Sequence, residues 1–265
     1  MIVYQNKLRK TRIFYQQTYT TQHADLIDSI NRSEVKHLMS NVLAKVDDEV
    51  KNNPGRNLSE ERIASIVALC YMLKPYNYSI GDSSSEKKLS PERGQILLML
   101  TGMHLDTGSL QKIMLKATFA GAVLREADLS GADLRWADLS GADFQDANLE
   151  GSNLYEADLK SANLWGANLN KAILNGADLT HATFSWAEMN GVDLKRANLN
   201  GTEMNSAQLK HVDFRSADLQ WTNLNGTFLN ESNFEGANMY RTYMIRANLI
   251  KCNLTEANMT LANLT

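Results

Sequence analysis

From Ala117 onward a large apolar side chain returns at every fifth position. Calling that position i, the series runs from Phe119 to Leu264 without an insertion, which makes 30 repeats. Position i holds Leu 20 times, Phe five times and Met five times, while position i−2 is small or compact throughout, with 21 Ala. Position i−1 is Asp or Asn in 21 repeats, and all ten glycines of the region fall at i+2. An α-helix would let this apolar stripe drift by about 140° per repeat. A continuous strand would send successive apolar residues to opposite faces. Either would expose half of them. The pattern is met only if the chain turns once per pentad, so that every i side chain points inward and the small i−2 residue lets the wall close beside it. Phe119, Leu129, Phe144, Phe184, Phe214 and Phe234 are the expected core. Glycine at i+2 suits a corner relieved of Cβ. Asp and Asn at i−1 can bond nearby backbone in turns. No proline follows Pro91, as stacked coils need every backbone N–H.

The first part of the chain has a helical period instead. Leu26, Ile30, Val35, Leu38, Val42, Val46 and Val50 are spaced for one helix, or for two with a break near Arg32–Ser33. The segment NNPGRN at 52–57 interrupts it. Ser59, followed by Glu60 and Glu61, opens a second helix to about Leu73. Residues 75–88 are expected as a polar loop. Ser90–Pro91 caps a third helix over 91–103, and a short amphipathic segment over 108–116 leads into the repeats. The expected organisation is an N-terminal segment 1–22, an α-helical capping domain 23–116 and the repeat domain 117–265. A helical cap would cover the apolar side chains and strand edges of the first coil. The last repeats have no such cap in the sequence, so a two-fold homodimer through that end is expected.

Read in pentads the region begins ATFAG AVLRE ADLSG ADLRW ADLSG ADFQD ANLEG. This A(D/N)LXX pattern resembles the pentapeptide-repeat family over 149 of the 265 residues. The resemblance implies a mainly β fold, a right-handed quadrilateral parallel β-helix with four pentads per coil, here of about 7.5 coils. At roughly 4.8 Å per layer that makes a rod about 36 Å long.

Charge divides along the same boundary. Residues 1–116 carry 16 basic and 12 acidic side chains, residues 117–265 carry 11 and 18, and the whole chain is at −3. That balance does not suggest direct binding to nucleic acid, which favours basic domains. Two cysteines, Cys70 and Cys252, stand far apart with no metal-ligand spacing, so neither a disulfide framework nor a zinc site is expected. A reducing compartment is the default. The charged N-terminus holds no secretory apolar core, and the runs at 63–73 and 95–103 are too short to span a bilayer. The cytoplasm is the expected location, with export as a bacterial effector left open.

No catalytic motif occurs, His181 and His211 both fall at outward i+2 positions, and Cys252 stands at an inward i−2 position. Neither an enzyme nor a cofactor or metal site is expected. Four pentads per coil would stack Asp138, Asp158, Asp178, Asn198, Asp218, Asn238 and Asn258 in one column. That column is either an acidic ligand surface or a by-product of repeat composition. The acidity is concentrated: residues 117–160 hold nine acids and three bases, the remaining 105 residues nine and eight. Outward aromatics are Trp136, Tyr155, Trp165, Trp186, Trp221 and Tyr240. Trp165 and Trp186 fall on one side, one coil apart. They serve either as partner anchors or as corner packing between coils. The expected function is therefore a protein–protein interaction scaffold with an unidentified partner. The resemblance implies a second: some members mimic DNA, bind DNA gyrase and protect against quinolones or microcins. That role favours charge along the whole rod, since DNA carries about one charge per 1.7 Å.

Overall fold

The computed structural model describes residues 32–77 and 88–264. The chain divides into two compact units, Met1–Phe119 and Ala120–Thr265. The expected segment 1–22, together with Leu26 and Ile30, lies outside the described residues.

In the first unit the described elements are α1 (Arg32–Lys51), α2 (Glu60–Met72), a two-residue pair β1 (Tyr76–Asn77) and β2 (Lys88–Leu89), α3 (Pro91–Gly102) and α4 (Thr107–Lys116). The caps follow the sequence. Ser59 Oγ accepts the Arg62 N–H at 3.4 Å, and Ser90 Oγ accepts that of Arg93 at 3.3 Å. Val46 and Val50 of α1 join Ile63, Ile66, Val67, Ile96, Leu97, Leu100 and Ile113 in the buried core. Three details depart from expectation. Leu38, placed on the apolar stripe of α1, is exposed, because only the C-terminal half of that helix is packed. The ends of the expected loop 75–88 form the antiparallel register Tyr76↔Leu89 and Asn77↔Lys88. And α4 is capped by Asp106, whose carboxylate accepts the N–H groups of Gly108 and Ser109 at 2.9 and 3.2 Å. Cys70 is fully buried, and burial pushes its thiol up to about 12, which keeps it unreactive.

In the second unit every parallel bridge joins residue n to residue n+20, from Val123↔Asp143 to Tyr243↔Asn263. Four pentads therefore make one coil. The backbone of each pentad is almost fully paired. The i−2 N–H closes a turn onto the preceding i carbonyl, as in Ala127 to Leu124 at 3.2 Å. The i−1 N–H reaches back one coil, as in Asp143 to Ala122 at 2.9 Å. The i and i+2 N–H groups reach forward, as in Leu124 to Asp143 at 2.7 Å and Glu126 to Gln145 at 3.0 Å. Only the i+1 N–H has no backbone partner, and a buried or half-buried donor must find one elsewhere. It finds the i−1 side chain: Asp128 Oδ1 accepts the Ser130 N–H at 3.1 Å, and Asn148 Oδ1 that of Glu150 at 3.2 Å. This is the physical reason for Asp or Asn at i−1.

Each i+2 residue from Gly121 to Leu261 has positive φ, between 52° and 70°. Ten are glycine, and none of the rest is β-branched, consistent with the steric cost of branching there. Phe119, Leu129, Phe144, Phe184, Phe214 and Phe234 are all buried. Phe214 and Phe234 stack with centroids 4.6 Å apart and planes 7° from parallel.

Candidate interaction surface

Since the repeat-defining side chains are engaged inside or along the coil, the chemistry open to a partner lies in the outward i−1, i+1 and i+2 residues. The expected column forms as a register: Asp138↔Asp158, Asp158↔Asp178, Asp178↔Asn198, Asn198↔Asp218 and Asp218↔Asn238 are successive bridges. Its four carboxylates are half-buried, and each one holds its own turn. Asp138 accepts from the Ser140 N–H and hydroxyl at 3.3 and 2.8 Å, and Asp178 from those of Thr180 at 3.2 and 2.6 Å. Asp158 and Asp218 accept the N–H groups of Lys160 and Gln220, both at 3.2 Å. Lys160 sits between Asp158 and Asp178, 2.9 Å from each. Burial works against its ammonium, but these two carboxylates outweigh that and raise its pKa.

The stacked amides run in one direction. Asn148 Nδ2 donates back to Asp128 Oδ1 at 3.1 Å, Asn163 to Asp143 at 2.9 Å, Asn238 to Asp218 at 3.2 Å and Asn258 to Asn238 at 3.2 Å. The cause is the turn: Oδ1 is already committed to the i+1 N–H of its own pentad, so the amide group turns toward the preceding coil. In three of the pentads whose i−1 residue is neither Asp nor Asn, the preceding coil supplies the acceptor from position i+1. Asn170 takes the Asn190 N–H, Asn190 that of Lys210, and Asn225 that of Ile245, at 2.8, 3.2 and 2.7 Å.

The aromatics divide into two kinds. Trp136 meets Tyr155 edge-on at 6.3 Å and Trp221 meets Tyr240 edge-on at 6.4 Å. Both pairs are 19 residues apart, the offset at which an i+2 N–H meets an i+1 carbonyl, as in Trp136 to Tyr155 at 2.9 Å. Trp165 and Trp186 are 21 apart, miss this register, and make no ring contact among the described residues. They stand 42% and 61% exposed.

His181 and His211 lie on the outside at positive-φ corners. Cys252, expected buried at its inward position, is only half-buried in the final coil, where its Sγ donates to Leu229 O at 2.9 Å. Partial burial raises the pKa of this thiol. Among the described residues no cluster of His, Cys, Asp and Glu could hold a metal ion, and no helix is long and apolar enough to cross a membrane.

A solenoid with paired coils, inward i residues and outward-only variability defines a repeat protein. The family model for pentapeptide repeats matches in eight copies, reaching from residue 117 to residue 265. The chain belongs to the pentapeptide-repeat family. A comparison with curated proteins finds no match. Among solved structures, HetL of the cyanobacterium Nostoc sp. strain PCC 7120, a pentapeptide repeat protein involved in heterocyst differentiation regulation, is 29% identical over 56% of this chain and 76% of its own, with TM-score 0.33. A trypsin-treated form of QnrB1, a plasmid-mediated fluoroquinolone resistance protein, is 17% identical over 54% and 80%, with TM-score 0.29. A pentapeptide repeat protein of the Arabidopsis thaliana thylakoid lumen is 28% identical over 41% and 69%, with TM-score 0.22.

Proposed function

We propose that the solenoid is a non-enzymatic scaffold for protein–protein interaction. The observation that carries this is the exposure of Trp165 and Trp186, one coil apart on one side, in a wall whose backbone is otherwise engaged. Large aromatics held on a rigid frame lose little entropy on binding and act as anchors. The test is capture from native lysate with the wild-type chain and with Trp165→Ala/Trp186→Ala, followed by reconstitution with each purified prey. A prey that binds directly and is lost with the double variant supports the reading. Direct binding that ignores both substitutions removes Trp165 and Trp186 as the anchors, and no direct binder at all rejects the scaffold.

A second reading, mimicry of DNA toward DNA gyrase, draws on one observation: Asp138, Asp158, Asp178 and Asp218 do stand along one face. Against it, these carboxylates are half-buried and tied to their turns. Unaltered supercoiling and unaltered drug sensitivity of purified gyrase at micromolar protein would remove this reading.

A further inference from the structure

The corners around Trp221 and Trp136 share an edge-on Trp–Tyr pair and a stacked guanidinium, although Arg135 directly precedes Trp136 while Arg241 follows Trp221 by one coil. In both, a guanidinium lies over the tryptophan of an edge-on Trp–Tyr pair: Arg135 is 4.9 Å from the Trp136 centroid, and Arg241 is 4.6 Å from that of Trp221 and 5.2 Å from that of Tyr240. At the first corner the guanidinium is closed by a carboxylate of the chain. Arg135 Nε and Nη2 donate to the two oxygens of Asp133 at 2.7 and 2.6 Å. At the second, no carboxylate of the described residues lies within ion-pair distance of Arg241, nor of Arg246 five residues on. The i−1 residues past Asp218 are Asn, Phe or Tyr, so the column offers none either.

This open guanidinium is bordered by apolar surface. Leu261 follows Arg241 by one coil at the same corner and is 63% exposed. Trp221, beneath the guanidinium, and Tyr243, two residues further along the coil, are each 42% exposed. Contiguous exposed apolar surface marks interaction sites. Trp, Tyr and Arg are the residue types that dominate binding energy at such sites.

We propose that Trp221, Tyr240, Arg241, Tyr243 and Leu261 form a docking site for an acidic, apolar segment of a protein partner. Its carboxylate takes the place at Arg241 that Asp133 holds at Arg135, and an adjacent aliphatic or aromatic side chain covers Trp221 and Leu261. A carboxylate pairing two-pronged with an arginine already stacked on an aromatic ring gains geometric fixity as well as charge. The acidic character follows from the Arg241 guanidinium, stacked on Trp221 and Tyr240 with no carboxylate of the described residues within ion-pair distance. The proposal rests on the reading of the solenoid as a protein-binding scaffold and names the partner chemistry for it.

The test is selection of displayed short random peptides on the purified full chain, on Arg241→Glu and on Trp221→Ala. Enrichment on the wild type of peptides with Asp or Glu beside a large apolar residue is expected. Their affinity falls roughly tenfold or more on Arg241→Glu and on Trp221→Ala, and Arg241→Glu shifts selection toward Lys- and Arg-bearing peptides. Unchanged urea midpoints for both variants establish that the fold is intact; Arg241→Lys, milder in volume and charge, serves as the second variant. Peptides without acidic residues, peptides indifferent to both substitutions, no enrichment, or tighter binding of oligothymidine than of any selected peptide would each overturn the proposal. Peptides that ignore Arg241 and Trp221 but are lost with Trp165→Ala/Trp186→Ala would remove this site and leave the scaffold reading standing.

Discussion

Between residues 120 and 160 the outward i−1 positions hold Asp128, Asp133, Asp138, Asp143 and Asp158; beyond residue 220 they hold Asn in seven repeats, with Phe228 and Tyr243 between. The pentad is the same, and the hydrogen bonding explains the gradient. Each amide donates to the coil before it, so the earliest residue of a column only accepts, and a carboxylate serves as well as an amide or better. A later Asn donates as well, which a later Asp, such as Asp158 after Asp138 or Asp178 after Asp158, does not do. Part of the acidity of the first coils, at Asp128 and Asp133, is thus the starting end of directional ladders. The basic residues differ in the same sense. Arg125, Arg135 and Lys160 are all paired, to Asp143, Asp133 and the Asp158–Asp178 pair. In the last coils Lys251 pairs with Glu231 at 3.4 Å, while no carboxylate of the described residues lies within ion-pair distance of Arg241 or Arg246. The cations are ion-paired where the sequence looks most acidic, while Arg241 and Arg246 stand without one among the described residues where it looks neutral.

If the two ends differ only outside the core, core truncations will not distinguish them beyond local stacking. Phe144→Ala is expected to cost about 3–5 kcal/mol. Phe214→Ala adds about 0.5–1.5 kcal/mol for the lost stack on Phe234. Urea unfolding measures both, and a gap of several kcal/mol would mean that the core itself changes along the solenoid. The ladder argument is tested one level down. Asn163→Asp replaces the donor to Asp143, which is 4% exposed and also paired with Arg125, by a second carboxylate. A loss of about 1–3 kcal/mol is expected. Asn253→Asp, above the neutral Asn233, loses a 3.1 Å hydrogen bond without facing a charge, and its cost stays under about 1 kcal/mol. Equal costs would break the account of the acidic gradient.

The starting carboxylates also carry a pH signature. Bonds from the Ser130 hydroxyl and N–H, outweighing a small desolvation, with help from Asn148, hold the Asp128 carboxyl below the usual range. A group depressed in the folded state stabilises above its unfolded pKa, and that contribution disappears as pH falls through the folded value. Asp128→Asn should therefore flatten the acid side of the melting-temperature profile, below roughly pH 4. An unchanged acid limb would show that the bonds to Asp128 do not distinguish its two protonation states.

The core was legible because an inward residue at a fixed period can be seen in any single pentad: Phe144 and Phe184 needed no tertiary information. So was the i−1 column, once 20 residues per coil were assumed. The corner aromatics were not. Judging Trp165 and Trp186 by side alone missed that the i+2 and i+1 groups meet at an offset of 19, the spacing of Trp136 to Tyr155 and Trp221 to Tyr240. That offset follows from which N–H reaches which carbonyl, a property of the coil and not of the pentad. Asn170, Asn190 and Asn225 were hidden for the same reason, each serving a turn one coil away. In the helical unit, β1 and β2 are two residues each, too short for any period, and the exposure of Leu38 depends on where α1 runs out of neighbours.

The smallest expected effect bears most directly on the acidic column. Asp178→Asn keeps the acceptor for the Thr180 N–H and hydroxyl and for the Asn198 amide, since all three use Oδ1. It removes only the Oδ2 contact to Lys160, and Lys160 retains Asp158 at 2.9 Å. A half-exposed ion pair of this kind contributes about 0–1 kcal/mol, so stability should move by less than about 1 kcal/mol. Capture of any partner that depends on Trp221 or Arg241 should not move at all. An acidic ligand surface demands the reverse: stability nearly unchanged, but binding strongly reduced by neutralising the carboxylate in the middle of the column. Affinity of a reconstituted partner for Asp178→Asn and for Arg241→Glu, measured side by side, therefore decides which end of the solenoid the partner reads.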